Sequence, residues 1–164
     1  MRRIASVITA AAILGGASII ITAQTSAHVV QTPQEVQWGA APPLLPPGAQ
    51  IAVLAGDPGR PAPYTVRLKF PANYSIPAHS HPTDEHVVIV RGALTFGMAD
   101  KLMKTASGNK TLGVGAFALM PANMNDFGFT TAAETEVVLY GQGPIDFKYV
   151  SPADDPRNVK TSTR

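Results

Sequence analysis

The sequence contains no cysteine in 164 residues, so no disulfide can staple it and its stability has to come from burial. Charge is scarce too. Asp, Glu, Lys and Arg together make up 15% of the chain, and no basic run occurs. Nor does any segment sustain helical periodicity, which argues against a helical bundle or an α/β fold, although 99–107 could form one short helical turn. What remains is a chain rich in short apolar runs, with 14 glycines and 15 prolines to break them.

The first residues stand apart. Met1-Arg2-Arg3 is a basic head, and Ile4 to Ile21 carries no charge. Thr25-Ser26-Ala27 places small residues where a signal peptidase reads, so residues 1–27 are expected to be a signal peptide cleaved after Ala27. The alternative is an uncleaved anchor, because the run reaches the lower limit for a membrane span, although Ser, Thr and a Gly pair dilute it. Either way the rest of the protein is expected outside the cytoplasmic membrane, periplasmic or secreted, and free of the membrane after cleavage. The Arg pair lacks the rest of a twin-arginine signal. Without the leader, 11 basic side chains face 11 acidic ones, so the pI near 9.0 belongs partly to the leader. A balanced chain gives no reason to expect nucleic acid as a partner. Residues 28–164 are long enough for one domain with a sizeable core.

Residues 28–49 form a Pro-rich arm. "WGAAPPLLPPG" cannot make a helix or a central strand, while Trp38, Leu44 and Leu45 suggest that it lies against the body. Such arms cover an open sheet edge or cross to a second subunit, and both stay open. Strands are predicted at 50–55, 63–70, 74–79, 85–91, 93–98, 110–113, 115–120, 126–130, 134–141 and 145–150, separated by turn residues such as Pro71-Ala72-Asn73 and Arg91-Gly92. About ten short strands imply an all-β sandwich or barrel. The barrel is assigned to 50–150, and the polar tail, 151–164, is expected to fray.

"HSHPTDEH", residues 79 to 86, holds three of the four histidines and two carboxylates. His79 and His81 share a face on extended chain. Glu85 joins them if the turn opened by Pro82 keeps parity, and His86 then points the other way. Two imidazoles and a carboxylate inside a barrel suit Fe(II), Mn(II), Zn(II), Ni(II) or Cu(II) with coordination positions left open. The alternative is a polar loop whose histidines cap a turn.

From Asn73 the chain reads five residues, HxH, three residues, Glu85, six residues, Gly92. That resembles the first motif of the cupin superfamily, with Asn73 in place of its first glycine. Asn is the non-glycine residue most at ease with positive φ, so the turn can survive. "GAFALMPANMNDFGFT" resembles the second motif, beginning at Gly115 with Pro121 in place. Asn123 replaces its second glycine, Asp126 its histidine and Thr130 its final Asn. The arm and tail are also similar to those of small exported bacterial cupins.

The resemblance implies a single-domain, all-β cupin, a small antiparallel β-barrel of jelly-roll type. It further implies one divalent metal ion (Fe, Mn, Zn or Ni) held by His79, His81 and Glu85, with Asp126 where a fourth ligand usually stands. Asp126 could ligate directly, act through water, orient a ligand or serve as a base, or merely cap its turn. Asp84 could hydrogen-bond a ligating imidazole from behind, or face solvent. Arg67 and Lys69 could line a mouth that attracts anions or form a solvated face. Phe96, Met98, Phe117, Phe127 and Phe129 are assigned to the core. The functional expectation is a metal-dependent enzyme on a small oxygenated molecule, of dioxygenase, isomerase or decarboxylase type. The alternative is a non-catalytic module that binds a small ligand or metal. A homodimer is expected, because pairing edges or crossing arms would hide unpaired backbone groups.

Overall fold

Short apolar or alternating runs broken by turn residues predict the strands, and a computed structural model that describes residues 28–158 shows the result. The expected leader, 1–27, and the end of the tail, 159–164, lie outside the described residues. The strands are β1 (Gly39–Ala40), β2 (Gln50–Ala55), β3 (Pro63–Phe70), β4 (Ser75–Ser80), β5 (Glu85–Arg91), β6 (Ala93–Gly97), β7 (Lys110–Gly113), β8 (Phe117–Met120), β9 (Asp126–Thr130), β10 (Thr135–Gln142) and β11 (Lys148–Tyr149). Two short 3₁₀ turns, Pro33–Glu35 and Pro156–Asn158, complete the elements. No helix among the described residues is long and apolar enough to cross a membrane.

All pairings are antiparallel. One sheet runs β1-β2-β3-β10-β5-β8 and the other β11-β4-β9-β6-β7, an open jelly-roll barrel whose two sheets do not strictly close. In β3, Tyr64, Val66, Leu68 and Phe70 are buried while Thr65, Arg67 and Lys69 face outward, the alternation that period 2 demands. Val66, Leu68, Phe70, Ile89, Val137 and Leu139 form the centre of the core between the sheets. Each such side chain contributes about 1.5–3 kcal/mol by leaving water, which is how a cysteine-free chain holds together.

Several expectations change. The arm supplies β1, two residues that pair Gly39 with Ile51 and Ala40 with Gln50, so it covers the β2 edge. Prolines forbid a central strand but not a two-residue edge strand that ends before Pro42. Leu45 is buried, and Tyr149 Oη donates to Leu44 O at 2.8 Å. Trp38 lies over Lys69 Nζ at 4.2 Å and over the Arg67 guanidinium at 5.6 Å. Arg67 and Lys69 therefore line no mouth: both pair with Glu136 beneath the indole. Met98 and Phe117 are exposed, not core, at 62% and 54%. Phe117 sits on the outer face of the edge strand β8, and Met98 just past the end of β6. Residues 99–107 form turns without a helix. The tail does not fray as far as 158: Arg157 donates to Asp146 at 2.7 Å and to Phe147 O at 2.6 Å.

Candidate metal centre

A break in the alternation of β4 builds the site. Ile76 pairs with Gly128 and His79 with Asp126, so β4 uses three steps where β9 uses two. The extra residue is a bulge around Pro77–Ala78, a device that re-aims side chains beside functional sites. It sends Ala78 into a second small cluster with Phe127 and Phe129, and turns both Ile76 and His79 into the barrel. His81 follows on the same face. The next strand starts with Glu85 buried and His86 on the opposite, outer side, as parity predicts.

Four polar side chains line a cavity of about 40 Å³ whose other walls are apolar. His79, His81, Glu85 and Asp126 are each at most 4% exposed. One ligand atom each from His79, His81 and Asp126 lie within 4.8 Å of one another, the one such cluster of three among the described residues. Glu85 stands outside that trio. Its Oε2 lies 3.2 Å from His81 Nδ1, while Asp126 Oδ2 lies 3.4 Å from His81 Nε2. The Glu85 contact is close but out of line, so His81 Nδ1 is a buried nitrogen without a well-formed hydrogen bond. His79 Nδ1 sits 2.7 Å from Pro77 O.

Two buried carboxylates with no Lys or Arg among the cavity walls are expensive unless a cation balances them. His81 is the nearest candidate. Burial works against its charge, but Asp126 and Glu85 outweigh burial and push its pKa up to about 9. His79 goes the other way: burial dominates and holds it below 6.5, with Asp126 opposing. A divalent ion held by neutral imidazoles would balance both carboxylates at once. The donor set fits one: His79, His81 and Asp126 could hold a metal ion.

No family model matches the sequence, and no curated protein matches it. Solved structures do match the fold. KdgF from a Halomonas species superposes with a TM-score of 0.54 at 17% identity, over 73% of this chain and 96% of its own. The polyketide cyclase RemF from Streptomyces resistomycificus gives 0.61 at 14% identity, over 79% and 90%. An RmlC-like cupin from Shewanella frigidimarina NCIMB 400 gives 0.54 at 11%, over 72% and 94%. The chain has the cupin fold.

The cupin pattern expects glycine at four positions, and here all four have positive φ: Asn73 at 59°, Gly92 at 69°, Gly115 at 83° and Asn123 at 61°. The two asparagines keep the backbone that the glycines would have allowed. Thr130, at the motif's final Asn, is buried. Its hydroxyl donates to Pro71 O at 2.7 Å and accepts from Tyr74 N at 2.9 Å, holding the turn before β4.

Asp84 makes no hydrogen bond to an imidazole among the described residues. Its exposed carboxylate accepts from Ala122 N at 2.8 Å, and His81 O accepts from Asn123 N at 2.8 Å. Together they tie the two motif turns and so place Asp126, which lies buried in β9 rather than capping its turn. Three contributors escaped the sequence reading. Phe147 stacks on His79 with centroids 4.0 Å apart, Tyr149 pairs across from His79, and Tyr64 Oη donates to Glu85 Oε1 at 3.3 Å. Burial first, then Glu85, raises the Tyr64 pKa well above the phenolic range, so it stays a donor. Tyr64 was findable, since it shares the phase of Val66 and Leu68. Phe147 was not, because only two residues of the predicted strand 145–150 pair.

Proposed function

We propose that this cupin is an exported protein that holds one divalent metal ion at His79, His81 and Asp126 and acts on a small oxygenated molecule. The observation that carries the reading is the convergence of those three side chains, buried, on a cavity otherwise walled by apolar groups. When bound, such an ion polarises a carbonyl or hydroxyl oxygen as a Lewis acid. The chain's own groups do the rest. Phe147 and the apolar wall exclude bulk water, and a cavity of about 40 Å³ admits only a few non-hydrogen atoms without opening. Asp126 and Glu85 are the acids among its walls. RemF, a polyketide cyclase, supports an enzymatic reading by carrying an enzyme on the same fold. The donor set is compatible with Fe, Mn, Zn or Ni.

A second reading, a non-catalytic module for a small ligand or metal, is favoured by one feature. Beyond the four polar side chains, no hydroxyl, amine or amide side chain lines the cavity. Metal analysis of protein purified from its native compartment separates the two. Stoichiometric Fe or Mn supports redox chemistry, Zn or Ni leaves both readings standing, and absence of metal removes the first.

Export with cleavage after Ala27, to the periplasm or beyond, rests on the leader's composition. The homodimer rests on an open edge: β8 ends its sheet and presents Phe117 and Leu119 to solvent. The charge balance of residues 28–164 speaks against nucleic acid.

A further inference from the structure

We infer that the two carboxylates divide the work at this site: Asp126 binds the ion, while Glu85, held by Tyr64, orients His81 from behind. The inference rests on the metal reading above and reverses the ranking that the sequence motif suggests, where Glu85 is the ligand and Asp126 the doubtful one.

Four contacts carry it. His79 Nδ1 faces the carbonyl of Pro77 at 2.7 Å. A carbonyl only accepts, so Nδ1 carries the proton and Nε2 is the bare nitrogen. His81 has a carboxylate on each edge of its ring, with Asp126 beside Nε2 and Glu85 beside Nδ1. The two carboxylates therefore lie on opposite sides of one imidazole. An ion that met the Nε2 atoms of both histidines would lie on the Asp126 side, and Glu85 falls outside the converging trio. Finally, the other Glu85 oxygen is engaged by the Tyr64 hydroxyl at 3.3 Å.

Ligating histidines nearly always donate their second ring N–H to a carbonyl or a carboxylate, which fixes the tautomer and raises ligand basicity. This site has one of each: Pro77 O behind His79 and Glu85 behind His81. The unsatisfied His81 Nδ1 needs only a small turn of Glu85 to complete the second. Tyr64 and Glu85 are thus positioning residues, acting through His81.

The test is titration of the full-length mature protein with Zn(II) and Co(II). Glu85→Gln, whose amide oxygen still accepts from Nδ1–H, and Tyr64→Phe should weaken binding by about 10-fold or less, and Glu85→Ala by about 10–100-fold. Asp126→Asn should lose more than any of these and alter the visible absorption of bound Co(II), which Glu85→Gln leaves in place. Nitrogen-15 NMR of the wild-type Zn(II) form should show His81 bound through Nε2 with Nδ1 protonated, a readout that does not depend on any variant folding. Loss of metal in folded Glu85→Gln, or coordination through His81 Nδ1, would overturn the inference and leave the metal reading intact. A wild-type protein that binds neither ion overturns both.

Discussion

Asp126 stands directly opposite His79 on the neighbouring antiparallel strand, and both side chains enter the same cavity. Cross-strand partners lie within about 5.5 Å between Cβ atoms, so the register alone makes the Asp126 carboxylate and the His79 imidazole neighbours. The bulge around Pro77–Ala78 makes the pairing possible, since without it the face of His79 would be taken by Ala78.

The position of each histidine predicts how it responds to deletion. His79→Ala or His81→Ala removes a ligand from a site with three, so Zn(II) binding should fall below detection by calorimetry. His86→Ala should leave it unchanged, because that ring lies on the outer face, stacked on Tyr140 with centroids 4.5 Å apart. Asp126→His, directly across from His79, should retain or tighten binding. Should His86→Ala abolish binding while His79→Ala spares it, the strand register itself would be wrong.

Asn73 tests the backbone rather than the metal. At a φ of 59° glycine pays no steric cost, whereas a side chain without Asn's local hydrogen bonding costs about 1–2 kcal/mol. Asn73→Gly should therefore be close to neutral in urea unfolding and Asn73→Ala clearly destabilising. Equal midpoints for the two variants would remove the argument.

Thr130→Val keeps shape and removes a hydroxyl that serves Tyr74 N and Pro71 O at once. Leaving the buried Tyr74 N–H and the half-buried Pro71 carbonyl short of a partner costs about 1–3 kcal/mol. An unchanged urea midpoint would mean that water replaces the hydroxyl.

What the sequence made legible follows from where period-2 alternation is unbroken. Pro63–Phe70 and Glu85–Arg91 were placed residue for residue, and Glu85 in, His86 out, came from parity alone. The HxH spacing located the site because strand geometry puts i and i+2 on one face. Legibility failed where alternation is interrupted or where a distant segment decides. In "YSIPAHS" only Pro77 hints at a bulge, since proline inside a sheet sits at edges and bulges, and hydrophobicity does not show which way the chain turns after it. The side of His81 that Asp126 takes depends on the pairing of β4 with β9, a strand far along the chain. Phe117 and Met98 looked like core because hydrophobicity does not say which sheet edge or loop end a residue occupies. Arg67 and Lys69 looked solvated because nothing local shows that Trp38 comes back to cover them.

Beyond the described residues, the basic head and Thr25-Ser26-Ala27 predict a mature chain that begins at His28. Mass spectrometry of the exported protein should find that terminus; intact Met1 on membrane-bound protein would refute it. The same preparation should run as a dimer in light scattering, and Phe117→Ser with Leu119→Ser should shift it toward monomer if the β8 edge is the contact.

The histidines also fix how the metal-free protein responds to pH. His81 titrates near 9 in the fold against 6.5 in the unfolded chain, because its two carboxylates outweigh burial. A pKa raised on folding stabilises fully below 6.5 and loses that contribution as pH rises through 9. His79 is held below 6.5 by burial, so the unfolded state binds more protons in acid, and stability falls as pH drops below 6.5. The Tm of metal-free protein should therefore peak near neutrality and decline toward pH 9. His81→Gln should remove the alkaline decline and leave the acid limb. Metal displaces the His81 proton, so Zn(II) affinity should rise from pH 7 to 9 while the alkaline loss of Tm disappears in the loaded protein. A metal-free Tm that is flat from 6.5 to 9 would mean that His81 is neutral throughout, and that the charge of Asp126 and Glu85 is balanced some other way.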